Sequence, residues 1–442
     1  MSMGYRRRAA LVVLALSVSV SGCVWTQYRG DPGHGGVQPF ESTLSAANVR
    51  GLTRAWSGFT GASNGVVPSV PVVGGGAVYT TVTSTLEAFD ASGASGCSGT
   101  GAARTCSPLW TARLSSFFDN SPAIANGMVF AGGGDSFTGA GKLFAFDAAG
   151  SQGCGGSPRT CAPLWIGDLA CCEISAPVVV GNTVYVTASD GELAAFDVNG
   201  GPNCTMATPK VCQPLWSTGL DVEVRKSAIA VANGRVYVGG IASRGTGEVE
   251  VFDAAGRSTA PLWIGVLPGP VDTSLIVVNG VLYLGATDRK LYAYDALGST
   301  NCAGDVGTHT CLPIWTAPTG DLITFDAPAV ADGKLYVGTN DGLFTFDANG
   351  STNCAGSPKT CAPLSTTAGP LGLAPPTVAN GVVYVGSVDG TLDTLQACST
   401  VGPNCTPLIG SVATGAAVGS PVVAGGAVYV RSGTNVQAYR LG

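Results

Sequence analysis

The fold class the sequence predicts is all-β: an eight-bladed β-propeller with four antiparallel strands per blade, its ring closed by an N-terminal strand. Three observations predict it. At one place in each of eight units, just after a turn, a valine or leucine is followed by an aromatic, at Tyr79, Phe130, Tyr185, Tyr237, Tyr283, Tyr336, Tyr384 and Tyr429, at intervals of 45 to 55 residues. Such a period marks a repeat architecture. Each unit holds short apolar runs separated by Asn-Gly or Asp-Gly, the dipeptides that hairpin turns with positive φ demand. No 3.6-residue apolar periodicity appears, so a stack of helix pairs is excluded.

One unit reads plainly between Ser121 and Asp168. Pro122 to Ala125 is a first, inner strand, Asn126-Gly127 the turn, and Met128 to Ala131 the second strand. Lys142 to Asp147 is the third and Pro163 to Ile166 the fourth, outer strand. Outer strands recur around Trp110, Trp165, Trp216, Trp263, Trp315, Leu364 and Leu408, seven in all, and their tryptophans are expected to pack between blades. The eighth unit ends at Gly442 without one, whereas Leu52 to Ser57 reads as an outer strand without a blade. Joining the two closes the ring and hides its edges. Asp90, Asp147, Asp197, Asp253, Asp295 and Asp347 each end a third strand and are expected to hydrogen-bond the turn that follows.

Charge is scarce. Of 442 residues 11% are charged, with a formal net charge of −6, and no long basic run exists. A nucleic-acid partner is therefore not expected. Two histidines, His34 and His309, leave little for a histidine-based triad or a zinc site, and no metal site is predicted.

Arg6 to Arg8 followed by the apolar run Ala9 to Val20 has the length and charge order of a signal peptide, too short to span a bilayer. Val20-Ser21-Gly22-Cys23 is similar to a bacterial lipobox, which implies cleavage before Cys23 and lipidation of it. The expected organisation is a lipoprotein signal peptide over 1–22, a lipidated tether with an N-terminal motif over 23–45, and a single propeller over 46–442. That places the chain in the cell envelope, on the extracytoplasmic side of a membrane.

Six units carry a cysteine pair between strands three and four. The expected disulfides join Cys97 with Cys106, Cys154 with Cys161, Cys204 with Cys212, Cys302 with Cys311, Cys354 with Cys361, and Cys398 with Cys405. The fourth unit shortens this loop to residues 254–260 and loses both cysteines together, as disulfide pairing predicts. Isolated pairs of this spacing without histidine are not a zinc pattern. With Cys23 as the anchor, two of fifteen cysteines remain, the adjacent Cys171 and Cys172. They are expected on the face opposite the six paired loops, either as a vicinal disulfide or as two thiols.

The unit Asp190-Gly191-Glu192-Leu193-Ala194-Ala195-Phe196-Asp197, with its closing tryptophan, resembles the quinoprotein-type (PQQ-like) propeller repeat, as does the opening Trp25-Thr26-Gln27-Tyr28-Arg29-Gly30-Asp31. The resemblance implies the propeller fold over nearly the whole mature chain. It does not select an activity, because the superfamily holds both dehydrogenases dependent on calcium and pyrroloquinoline quinone and non-enzymatic envelope lipoproteins. In the quinoprotein alcohol dehydrogenases a vicinal disulfide packs against the quinone, and the resemblance makes Cys171-Cys172 its counterpart. The arginine that this family places shortly after the pair is missing from Ile174-Ser175-Ala176-Pro177. Asp272 and Asp326 are the candidates for a general base.

Departures from the repeat mark a candidate binding face on units two to four. The segment between strands two and three lengthens at residues 132–141, with Asp135 and Phe137, and at residues 240–247, with Arg244. Glu173 follows the cysteine pair, and the segment entering unit four carries Asp221, Glu223, Arg225 and Lys226. Elaborated loops on a rigid scaffold are where binding usually resides. The expected function is a monomeric, membrane-anchored binding or scaffold module, without cofactor, for a protein, cell-envelope component or small ligand. The alternative is a dehydrogenase of alcohols or sugars that uses pyrroloquinoline quinone and calcium.

Overall fold

A computed structural model describes residues 24–61, 69–114, 120–134, 139–169, 173–224, 229–305, 309–321, 323, 327–368, 374–399 and 405–442. These residues form a β-propeller built of eight sheets, with two three-residue 3-10 turns and no α-helix among them. No helix of the described residues is long and apolar enough to cross a membrane. Each sheet has an inner strand of three residues, then a second, a third and an outer strand, all antiparallel. The second sheet, for example, comprises Ala123–Ala125, Met128–Gly134, Gly141–Asp147 and Trp165–Asp168. In the eighth sheet, Val422–Ala424, Ala427–Ser432 and Asn435–Leu441 are completed from the other end of the chain by Leu52–Phe59.

Local chemistry sets these boundaries. Asn126, Asn233, Asn279 and Asn380 adopt φ of 43° to 52°, each followed by glycine at positive φ, as a type I′ turn requires. The strand-ending aspartates fold back on the next turn as expected. Asp347 accepts from the amides of Asn349, Ser351 and Thr352 and from the Ser351 hydroxyl. Burial opposes ionisation there, but these donors outweigh it and hold the carboxyl at about 2.

Packing between sheets follows one repeated contact. The tryptophan of an outer strand buries its ring against the following sheet and donates Nε1 to that sheet's turn: Trp56 to Ala91, Trp110 to Ala148, Trp263 to Ala296, Trp315 to Ala348. The ring lies on a glycine of that turn. A Cβ on Gly93, Gly150, Gly298 or Gly350 would come within 2.1–2.4 Å of the indole Cδ1.

All six expected disulfides are present. Cys97 is bonded to Cys106, Cys154 to Cys161, Cys204 to Cys212, Cys302 to Cys311, Cys354 to Cys361, and Cys398 to Cys405. They are structural cross-links and not part of an open site, because one sulfur-bearing residue of each pair is packed inside. Cys106, Cys161, Cys212, Cys311 and Cys361 are buried while their partners are half-buried. The order reverses in the seventh sheet, where Cys398 is buried and Cys405 half-buried.

Nothing in the spacing of these cysteines announces their second role. Five stapled segments, those ending at or near Cys106, Cys161, Cys212, Cys311 and Cys361, reach back to the preceding sheet. Each pairs in parallel with its outer strand, as Thr310–Cys311 does with Trp263–Leu267. Such a hairpin covers an edge that would otherwise be open, together with its tryptophan. The fourth sheet has no staple, so Trp216–Gly219 of the third ends its sheet uncovered, and Trp216 alone of the outer-strand tryptophans is only half-buried. Replacing Cys302 and Cys311 together by serine should therefore cost about 2–3 kcal/mol by loop-closure entropy. It should also red-shift the Trp263 emission. An unchanged emission spectrum with lowered stability would show that the staple does not hold the cover in place.

Two expectations need correction. The lengthened segments of units two and four are loop only in part: residues 132–134, 141, 240–242 and 247 are strand and extend their hairpins. The segment expected as a tether and opening motif is packed from Trp25 onward, with Trp25, Arg29, His34 and Leu44 fully buried.

Candidate functional site

Residues 25–38 cross the inner strands of all eight sheets in order, meeting the middle residue of each. Trp25 exchanges two backbone hydrogen bonds with Val73. The amides of Ile124, Val179, Val231, Val277, Val330 and Val378 then donate to Thr26 O, Gln27 Oε1, Pro32 O, Gly33 O, Gly35 O and Gly36 O, at 2.6–3.0 Å. Gln38 Nε2 closes the series on Val423 O at 3.3 Å. Inner strands this short expose backbone donors toward one another's shared centre, and the segment satisfies them.

The side chains of this segment lock it. Arg29, at φ 59°, is fully buried and donates from Nη1 to Pro376 O at 2.6 Å and from Nη2 to Pro328 O at 2.8 Å. Gly36 passes so close that a Cβ would stand 2.0 Å from Arg29 Nη2. Asp31 accepts from the amides of Gly33 and Gly35, and burial pushes its pKa up despite them and the Arg29 charge. His34 donates from Nδ1 to Leu275 O at 3.3 Å and meets the Tyr28 ring edge-on. Complete burial pushes its pKa down to about 3, so it is a neutral packing residue at physiological pH.

Of the residues singled out from sequence, Asp135, Phe137, Cys171, Cys172, Arg225, Lys226, Asp326 and Cys23 lie outside the described residues. The others occupy one face, opposite the staples. The Glu173 carbonyl accepts from the Ser189 amide, and the Glu173 amide donates to Ser189 Oγ. Glu223 is exposed on a two-residue strand, Val222–Glu223, that pairs with Ile241 and Ala242 of the lengthened hairpin, and Arg244 is exposed at its tip. Asp272 precedes the inner strand of the fifth sheet.

At the base of that hairpin lies a buried carboxyl that sequence reasoning missed. Glu250 is buried, and both its oxygens accept from the Asp221 amide at 3.2 Å. Burial first, then the charges of Glu248 and Asp221, push it up to about 7. Glu87 holds the equivalent place in the first sheet, where burial lifts it to about 7 against the pull of Arg431. The signal was present: both stand three residues before the strand-ending aspartate, where the second, third and sixth units have Phe144, Ala194 and Phe344. The sign of the effect is definite. A carboxyl raised above its unfolded value keeps its proton in the fold while the unfolded chain loses it, so stability falls as pH rises from about 4.5 to about 7. Glu250→Gln should thus stabilise the protein by about 1–2 kcal/mol at pH 8 and do nothing at pH 4. Denaturant midpoints at the two pH values check this.

A quinone with calcium needs unengaged cations and converging oxygens. Among the described residues the fully buried arginines, Arg29 and Arg431, are committed to protein oxygens, the latter to Thr80 Oγ1 and Thr81 O. The His, Cys, Asp or Glu ligand atoms that converge as a trio belong to Cys302, His309 and Cys311, on the stapled face, and the two sulfurs are bonded to each other.

The fold and the filled hub define a β-propeller of the PQQ-like repeat class. The family model described as outer membrane protein assembly factor BamB matches residues 41–208 and 213–352, more than half of the chain, and the protein belongs to that family. No curated protein sequence matches it. Among solved structures, BamB from Moraxella catarrhalis is 16% identical, with 88% of this chain and 97% of that one aligned at a TM-score of 0.55. Quinohemoprotein alcohol dehydrogenase from Comamonas testosteroni is 14% identical, covering 96% and 81% at 0.64. The computationally designed Ika8 protein is 16% identical, covering 88% and 99% at 0.61. At these identities the likeness is one of fold.

Proposed function

We propose that the protein is an eight-bladed propeller, closed by the pairing of Leu52–Phe59 with the final strand, that acts as a lipid-anchored, extracytoplasmic binding scaffold for a protein partner. One observation carries the proposal: the protein's own residues 25–38 occupy the hub and spend its buried cation, Arg29, on Pro376 and Pro328. A rigid, filled hub leaves binding to the periphery. Cys23 is the anchor, the propeller is monomeric, and the function needs no cofactor. Membership of a family named for an outer-membrane assembly factor supports a protein partner in the cell envelope. The lengthened fourth hairpin, with Glu223 and Arg244 exposed, is the favoured docking element.

Reconstitution tests this directly. Purified protein is incubated with pyrroloquinoline quinone and calcium, desalted, and assayed for bound quinone and for dye reduction with alcohols and sugars. The expected result is no retained quinone and no turnover. Stoichiometric quinone with turnover would establish the dehydrogenase alternative, with Cys171 and Cys172 at its cofactor site.

A further inference from the structure

The stapled face differs from the opposite one in three independent ways. The first is the placement of Val24, whose carbonyl accepts from Gln38 Nε2 at 2.8 Å while the next residue, Trp25, is paired with Val73. Val24 lies on the stapled side, beside the turn residues Asp332, Asn380 and Gly381 in a cleft of about 690 Å³.

The second is apolar exposure. Of twelve exposed large apolar side chains among the described residues, nine lie toward the stapled face, among them Val24, Phe40, Leu109, Met206, Leu215 and Leu312. Three, Phe59, Val266 and Val388, lie toward the other. Leu109 and Leu215 lie one residue before an outer strand, and Leu312 lies three residues before one. The cost of exposing such a rim to water is relieved when it meets an apolar or interfacial phase.

The third is charge. Two residues before the second cysteine of five staples stands a base: Arg104, Arg159, Lys210, His309 and Lys359. Four of them donate back to a turn carbonyl, of Gly93, Gly150, Gly298 and Gly350, which fixes them as a set around the face. Two carbonyls, Gly304 and Gly298, each 2.9 Å from a His309 ring nitrogen, raise its pKa and favour the cation. On this face the strand-ending aspartates are turned onto backbone amides, and Asp305 and Asp332 are exposed beside the bases. On the opposite face the exposed acids Asp190, Asp221, Glu223, Asp341 and Asp389 lie among the exposed bases Arg113, Arg244, Arg289 and Lys290 and outnumber them.

We infer that the stapled face lies flat against an anionic phospholipid surface, its bases at the headgroups and its apolar rim at the interface, with the acidic face turned away. This rests on the proposed anchoring at Cys23 and adds the orientation that the anchor imposes. Juxtamembrane bases each strengthen such apposition by about fivefold in affinity, and the effect falls off within a Debye length.

The test uses the full lipidated protein in vesicles of phosphatidylglycerol with brominated acyl chains, which quench nearby indoles. Two single-site reporters are compared with the parent, Leu312→Trp on the stapled face and Val388→Trp on the other. The expected result is quenching of the Leu312→Trp reporter with the Val388→Trp emission unchanged. Adding R159E, K210E and K359E to the first reporter should restore most of its emission. Equal quenching of both reporters, stronger quenching of Val388→Trp, or quenching of neither in protein that floats with the vesicles overturns the orientation and leaves the anchor standing. Protein that does not float at all overturns the anchor, and the orientation with it.

Discussion

Arg29→Ala should lower stability by about 3–5 kcal/mol, because two buried carbonyls lose their donor and a cavity opens at the hub. The guanidinium serves Pro376 and Pro328 together, from a fork that lysine cannot reproduce, so Arg29→Lys should recover less than half of the loss. Gly36→Ala provides an independent approach to the same contact. Its Cβ would collide with Arg29 Nη2 at 2.0 Å in a backbone held at φ 70°, and a cost of about 3 kcal/mol or more is expected. Equilibrium urea unfolding measures all three. An Arg29→Ala protein within about 0.5 kcal/mol of the parent would mean that the hub is not held from the N-terminal segment.

The second large effect lies between sheets. Gly350 and Gly381 both adopt positive φ, 62° and 73°, so alanine is strained at each by about 1 kcal/mol. They differ in surroundings. A Cβ on Gly381 meets nothing within 4 Å, whereas on Gly350 it stands 2.1 Å from Trp315 Cδ1. Gly350→Ala should therefore cost about 3–4 kcal/mol against about 1 kcal/mol for Gly381→Ala. The difference isolates the indole contact that locks the fifth sheet to the sixth. Equal losses would assign the whole effect to backbone strain and leave the tryptophan contact without energetic weight.

Much of this was legible in the residues because the repeat states it eight times. The turns at Asn126-Gly127 and Asn279-Gly280, the strand-ending aspartates and the six cysteine pairs each follow from local chemistry that repetition makes unmistakable. The pairing of Leu52–Phe59 with Asn435–Leu441 was legible from a missing outer strand at one end and a spare one at the other. What a single unit does not encode was not legible. The staples pair with a neighbouring sheet, and nothing in Cys302 or Cys311 points to Trp263. Residues 25–38 occur once, so no repetition disclosed their path. The glycines at 33 and 36 are explicable only when the approach of Val277 and Arg29 is known. Glu87 and Glu250 were visible as charges at an apolar position of the repeat, a departure of one residue that was easily passed over. The candidate face was legible in part. Glu173, Glu223 and Arg244 do share one side of the propeller, but the segments at Arg244 read as loops because alternation in Gly-rich strands is weak.

The filled hub is most directly tested by native-state hydrogen exchange of the inner-strand amides. Val179, Val231, Val277, Val330 and Val378 should exchange only through global unfolding, with no change when excess pyrroloquinoline quinone and calcium are added. Fast exchange at these amides, or protection that appears only with the quinone, would mean that residues 25–38 do not own the hub and that the scaffold assignment is wrong.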